Sequence, residues 1–93
     1  MDVSGVKGPH SPTDLVAWAR SQLEIARSIL DNPGGGLLFA TQAIGQVKAT
    51  LQEHDEERFS EVAETLDRAE ERGLRREFEA ARKLLGEALA KLS

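Results

Sequence analysis

Five carboxylates, Glu57, Glu61, Glu64, Asp67 and Glu71, recur at intervals of three and four residues. On a helix that spacing stacks them along one face. Two helices bearing such rows can hold a divalent cation such as magnesium for phosphate-ester hydrolysis. That chemistry needs ligands from a second helix and shelter from water. The last third of the chain offers only Glu77, Glu79 and Glu87, and the acidic row alternates with Arg58, Arg68 and Arg72. A solvated charged face is therefore the first reading of this row. A divalent-metal-dependent enzyme or enzyme subunit using the acidic face of a third helix is the alternative.

The other chemistry-bearing residues lack the spacing their chemistry requires. His10 and His54 form no His-x3-His or His-Glu-x2-His pair, and the absence of cysteine leaves no zinc set. His54 suits the negative end of a helix dipole instead. Gly34, Gly35 and Gly36 precede a helix whose first amides could hold an anion. A phosphate loop, however, follows a strand and carries a Lys with Ser or Thr, so these glycines read as a turn. Arg72, Arg75 and Arg76 are a candidate anion contact. Glu70, Glu71, Glu77 and Glu79 are interleaved with them, which points to salt bridges within the chain or between subunits. No stacking aromatic accompanies the arginines and the net charge is −4, a poor basis for nucleic-acid binding. No catalytic residue, cofactor-binding residue or metal ligand is assigned, and no cofactor is expected.

The elements that would position these groups are helical. Residues 1–11 read as a disordered tail, without the apolar core of a secretory signal. Ser11-Pro12-Thr13-Asp14 then starts a helix, with Ser as N-cap, Pro at the first position and an acid near the positive dipole end. It runs to about Asp31, where Asn32-Pro33-Gly34 cannot continue it. Its apolar residues, from Leu15 to Leu30, cover about half of the helix surface, enough for two neighbours. A second helix spans about Leu37 to Glu53, and from Leu37 to Gln52 its only charge is Lys48. Such a helix is expected to be central and covered on most sides.

From about Asp55 onward the chain is charged helix. Phe59, Val62, Leu66, Ala69 and Gly73 form one seam, and Leu74, Phe78, Ala81, Leu85, Ala88 and Leu92 the next, with no slip in phase between them. Gly73 can end a helix as the C-cap glycine, giving two helices hinged there. The rival is one long helix, since no Ser, Thr, Asp or Asn stands at 74–76 to start another and Glu71–Arg75 pairs across the glycine. The fold class is thus all-α: a bundle of three or four helices over residues 12–93, behind the tail. The expected core joins Trp18, Leu23, Ile29, Ile44, Val47, Leu51, Val62, Leu66, Phe78 and Leu85.

Composition bounds the rest. One domain of 93 residues has little interior for the apolar surface these helices carry, so a homodimer joined through apolar helix faces is expected. Residues 55–72 hold eight acids and three arginines, a local −5, and residues 73–93 a local +2, which favours antiparallel packing or subunit docking. Gln22 falls within the first helix's apolar arc, where a buried amide, partnered by Gln42 or Gln46, could fix register; otherwise it lies at a rim. With Gln22, the aromatic residues Trp18, Phe39, Phe59 and Phe78 are the candidate interface. No apolar run reaches the roughly 20 residues of a membrane span, and the setting read from these features is cytoplasmic. The function expected is that of a protein–protein interaction or structural module with a partner as yet unknown.

Residues 18–51 also resemble the first two helices of HEPN-type domains. The segment Gln22-Leu23-Glu24-Ile25-Ala26-Arg27-Ser28-Ile29-Leu30 is similar to the first-helix pattern of that group. After a Gly-bearing turn, Ala40-Thr41-Gln42-Ala43 and Lys48-Ala49 are similar to its second helix, with one residue fewer between Ala43 and Lys48. The resemblance implies a cytoplasmic helical bundle of a kind that often dimerises. The group's ribonuclease signature, an Arg followed four to six residues later by His in a late helix, is absent because no His follows His54. The resemblance therefore implies a non-catalytic member.

Overall fold

A computed structural model describes residues 12–32 and 34–92. The expected tail and its Ser11 cap lie outside these residues. Four helices follow one another: α1 Pro12–Asp31, α2 Leu37–Asp55, α3 Ser60–Leu74 and α4 Phe78–Lys91. No strand occurs among the described residues. The two long helices start and stop within two residues of the sequence expectation.

Two registers set the topology. Asp31, Arg27 and Arg20 of α1 meet Arg82, Gly86 and Leu89 of α4. Thr41, Gly45 and Lys48 of α2 meet Gly73, Glu70 and Asp67 of α3. In both sets one number rises as the other falls, so the helices run antiparallel. With α1 packed on α2 and α3 on α4 across short turns, the chain forms an up-down-up-down bundle. As expected, α1 has two neighbours, α2 and α4.

The core is one cluster fed by all four helices. Leu23, Ile44, Val47, Leu51, Val62, Leu66 and Leu85 are buried in it, with Trp18, Ile29 and Phe78 half-buried against it. The first late seam is buried in full, Phe59 and Gly73 included. In the second, Ala81, Leu85, Ala88 and Leu92 are buried, while Leu74 is 62% exposed.

The loss of phase at Leu74 has a local cause. The chain breaks at residues 75–77, not at Gly73 itself. Glu77 N–H donates to the Arg72 carbonyl (2.9 Å) and Arg76 N–H to that of Gly73 (3.0 Å). These are the two bonds of a Schellman motif, whose C′ residue is left-handed and is usually glycine. Here it is Arg76, at φ 64°. An apolar contact normally closes this motif between its third-last helical residue and the one after C′. Those positions are Arg72 and Glu77, and a 2.7 Å ion pair joins them. Gly73 is buried against α2. A Cβ there would stand 3.7 Å from Thr41 Cγ2, an ordinary van der Waals contact, so the packing has room for one.

Candidate interaction surface

The sides of α1 and α2 follow from their partners. On α1, Arg20, Arg27 and Asp31 recur at seven and four residues and face α4. Arg20 Nη1 donates to the Leu89 carbonyl at 2.7 Å, and Asp31 accepts from Arg82 at 3.0 Å. Half a turn round lie Trp18, Gln22, Ile25 and Ile29. On α2, Thr41, Gly45 and Lys48 face α3, and half a turn round lie Phe39, Ala43, Gln46 and Thr50. These two sets flank the α1–α2 seam. Trp18, Gln22, Ile29, Ala43 and Thr50 are half-buried along it, and Gln46 is exposed. Ile25 at 51% and Phe39 at 67% exposure stand on its outer side.

Nothing in this strip is charged. In a chain with 30% charged residues, the outer α1–α2 seam presents indole, phenyl, isoleucine, amide and hydroxyl groups alone. Asp14 and Glu53 mark one end of it. A second helix this poor in charge is expected to be enclosed; instead α2 packs chiefly on α1 and α3 and leaves Leu38, Phe39, Gln42 and Gln46 exposed.

Three of the five residues expected at an interface therefore share one surface: Trp18, Gln22 and Phe39. Phe59 does not belong with them. It is 4% exposed, in the core just ahead of α3, because the turn at 56–59 folds its ring inward. Phe78 is half-buried at the start of α4, away from this strip. Gln22 is at the rim and not enclosed. Ile25 is a surface residue that the apolar pattern alone does not single out, although its place at the edge of the arc is the available signal.

The candidate chemical groups are arranged differently. Within the acidic row, Asp67 accepts from Lys48 at 2.8 Å, Glu64 lies 4.0 Å from Arg68, and Glu71 3.2 Å from Arg75. Among the described residues no three carboxylates or imidazoles gather closely enough to hold a metal ion. Glu70 also reaches Lys48, at 3.7 Å, so α3 directs its acids at α2, whereas the charge balance points to α4. The Asp67 hydrogen bond, helped by the charges of Asp67 and Glu70, raises the Lys48 ammonium above its ordinary pKa against the pull of burial.

Of the arginine cluster, Arg72 pairs with Glu77 and Arg75 with Glu71, the use expected of them within one chain. The hydrogen bond from Arg72 holds the Glu77 carboxyl below its usual range. Arg76 is exposed. A shallow groove between α1 and α4 is lined by Glu24, Arg27, Ser28, Asp31 and Arg82, where two acids offset two arginines. His54 is exposed in the last turn of α2, and His10 lies outside the described residues. No described helix is long and apolar enough to cross a membrane.

No family model matches the chain, and neither any curated protein nor any solved structure matches it.

Proposed function

We propose that this protein is a non-enzymatic, cytoplasmic interaction module whose working surface is the uncharged α1–α2 strip. The observation that carries this reading is the exposure of Ile25 and Phe39 on a strip that holds no charge. Isolated exposed apolar side chains are ordinary, but an apolar strip rimmed by polar groups marks a contact surface. Aromatic residues free of neighbouring charge are also what the centre of an interface is made of. The resemblance of residues 18–51 to HEPN-type helices without the ribonuclease spacing agrees with a role in binding.

Site-directed photo-crosslinking in the producing cells tests the proposal. A photoreactive phenylalanine analogue replaces Phe39 in one strain and Lys83, exposed on α4, in another. The expected result is a discrete crosslinked protein adduct from position 39 and none from position 83. Equal adducts from both positions, or none from position 39, would remove the α1–α2 strip from consideration.

A further inference from the structure

We infer that the occupant of the α1–α2 strip is a second copy of this chain, docked face to face about a twofold axis through the middle of the strip. The inference rests on the proposal that this strip is a contact surface, and goes on to name what it contacts.

Its polar groups favour self-docking. In a twofold contact every residue near the axis meets its own copy. A carboxylate or an ammonium then faces like charge, whereas a glutamine amide both donates and accepts and can pair with itself. Gln22 is the eleventh of twenty residues in α1, and Gln46 the tenth of nineteen in α2. Because α1 and α2 are antiparallel neighbours, both amides sit at mid-length, where the axis would pass. The apolar groups, Trp18 toward one end and Ile25, Ile29 and Phe39 toward the other, would lie on either side of it. On α3 and α4 a twofold contact would bring charged side chains against their own copies, among them Arg68, Arg72 and Arg82, which have partners in their own chain. The seam from Phe59 to Leu92 is mostly taken up by the core, and its exposed Leu74 stands beside Arg75 and Arg76.

The dimensions set the expected strength. Twenty helical residues span about 30 Å, and two packed helices present a strip about 18 Å wide. That is about 500 Å² on each copy and about 1,000 Å² in all, the lower bound for a specific contact. The dimer should therefore be weak and reversible, populated at tens to hundreds of micromolar, on the order expected for so small an interface.

Light scattering and sedimentation equilibrium on the full chain, from about 5 to about 500 µM, test this, the range being set by the weak affinity expected of a small interface. The mass should climb from the 10.2 kDa of one chain toward twice that value. Phe39→Asp and, separately, Gln46→Glu should hold it at the single-chain mass with unchanged helical circular dichroism. Lys83→Glu should leave the climb intact. A constant 10.2 kDa for the unaltered chain overturns the second copy as occupant, while an adduct with another protein at position 39 would keep the contact surface. A mass that still doubles in both strip variants overturns the strip itself. Should Phe39→Asp lose helicity, Gln46→Glu, at an exposed position, decides alone.

Discussion

The two hairpins of the bundle line the same core and meet water in opposite ways. The α1–α2 hairpin, residues 12–55, holds eight charged residues in 44, and the α3–α4 hairpin, residues 60–91, holds fifteen in 32. In the first, Arg20, Arg27 and Asp31 are aimed at α4 and Lys48 at α3, so half of its charge goes to the seams between hairpins. In the second, charges pair along the helix and across its terminal turn. Exposed ion pairs of this kind add about 0–1 kcal/mol each. Their larger effect is to keep α3 and α4 hydrated and unattractive to other chains. The bare strip on α1–α2 is thus defined as much by the charges elsewhere as by its own apolar groups.

The difference between buried and bare surface predicts a steep contrast inside the first hairpin. Ile44 is fully buried where α2 meets the core, whereas Phe39, five residues earlier, is mostly in water. Ile44→Ala should cost about 2–5 kcal/mol, the range for a large buried aliphatic side chain. Phe39→Ala should stay within about 0.5 kcal/mol in the monomer, as surface changes do. Urea unfolding at low protein concentration measures both. A cost below about 1 kcal/mol at Ile44 would mean that the layers repack freely and that the core is not shared between hairpins.

The turns of the two hairpins make a second test. Among the described residues each contains one left-handed residue: Gly34 at φ 49° between α1 and α2, and Arg76 at φ 64° between α3 and α4. A side chain in that region costs about 1–2 kcal/mol, a cost absent at Gly34 and borne at Arg76. Gly34→Ala should therefore destabilise by about 1 kcal/mol and Arg76→Gly stabilise by a similar amount. For a chain of this size each corresponds to about 4–8 °C in melting temperature, in opposite directions. A fall on Arg76→Gly would show that the arginine side chain contributes more than its backbone strain costs.

These turns also show how far the sequence can be read. Helix identity, the α1–α2 turn and nearly all of the core follow from the 3.6-residue apolar period and from Asn32-Pro33-Gly34. The break near Gly73 is visible in the sequence, but its geometry is not. Glycine is the usual left-handed residue at a helix end, so Gly73 masks the role of Arg76. The better signal is Arg72 and Glu77, five apart, whose opposite charges bridge the motif. Leu74 looks like part of the second seam only when a continuous helical phase is carried through that turn. The strip on α1–α2 is legible only in part. Apolar width shows that α1 has surface for two neighbours, but which edge stays open depends on where α3 and α4 settle. Tertiary pairs such as Lys48–Asp67 and Arg82–Asp31 mark where they settle around the shared core, and no local pattern announces them.

The smallest expected effect concerns acid. Glu77 has its carboxyl pKa lowered by the Arg72 hydrogen bond. A depressed carboxyl contributes stability that is fully present above its unfolded pKa and is lost as pH falls through its folded pKa. The window is therefore at and below the usual carboxylate range, and the pair that titrates in it closes the α3–α4 turn from within. Both groups are exposed, so global stability should barely change. What should change is local: the Glu77 amide, bonded to the Arg72 carbonyl, should exchange faster with solvent as the pair titrates. Amide exchange by NMR, with rates corrected for intrinsic acid dependence, reads this at Glu77 and Arg76 against Ile44 and Val47 in α2. Other carboxylates titrate in the same range, so the decisive comparison is with Glu77→Gln, in which the turn should exchange fast already at neutral pH and respond little to acid. Loosening of α2 in step with the turn would show that the hairpins open together and that their different surfaces have no counterpart in their local stability. Loosening of the turn alone would make charge pairing the local stabiliser of α3–α4, with the bare face of α1–α2 held by packing.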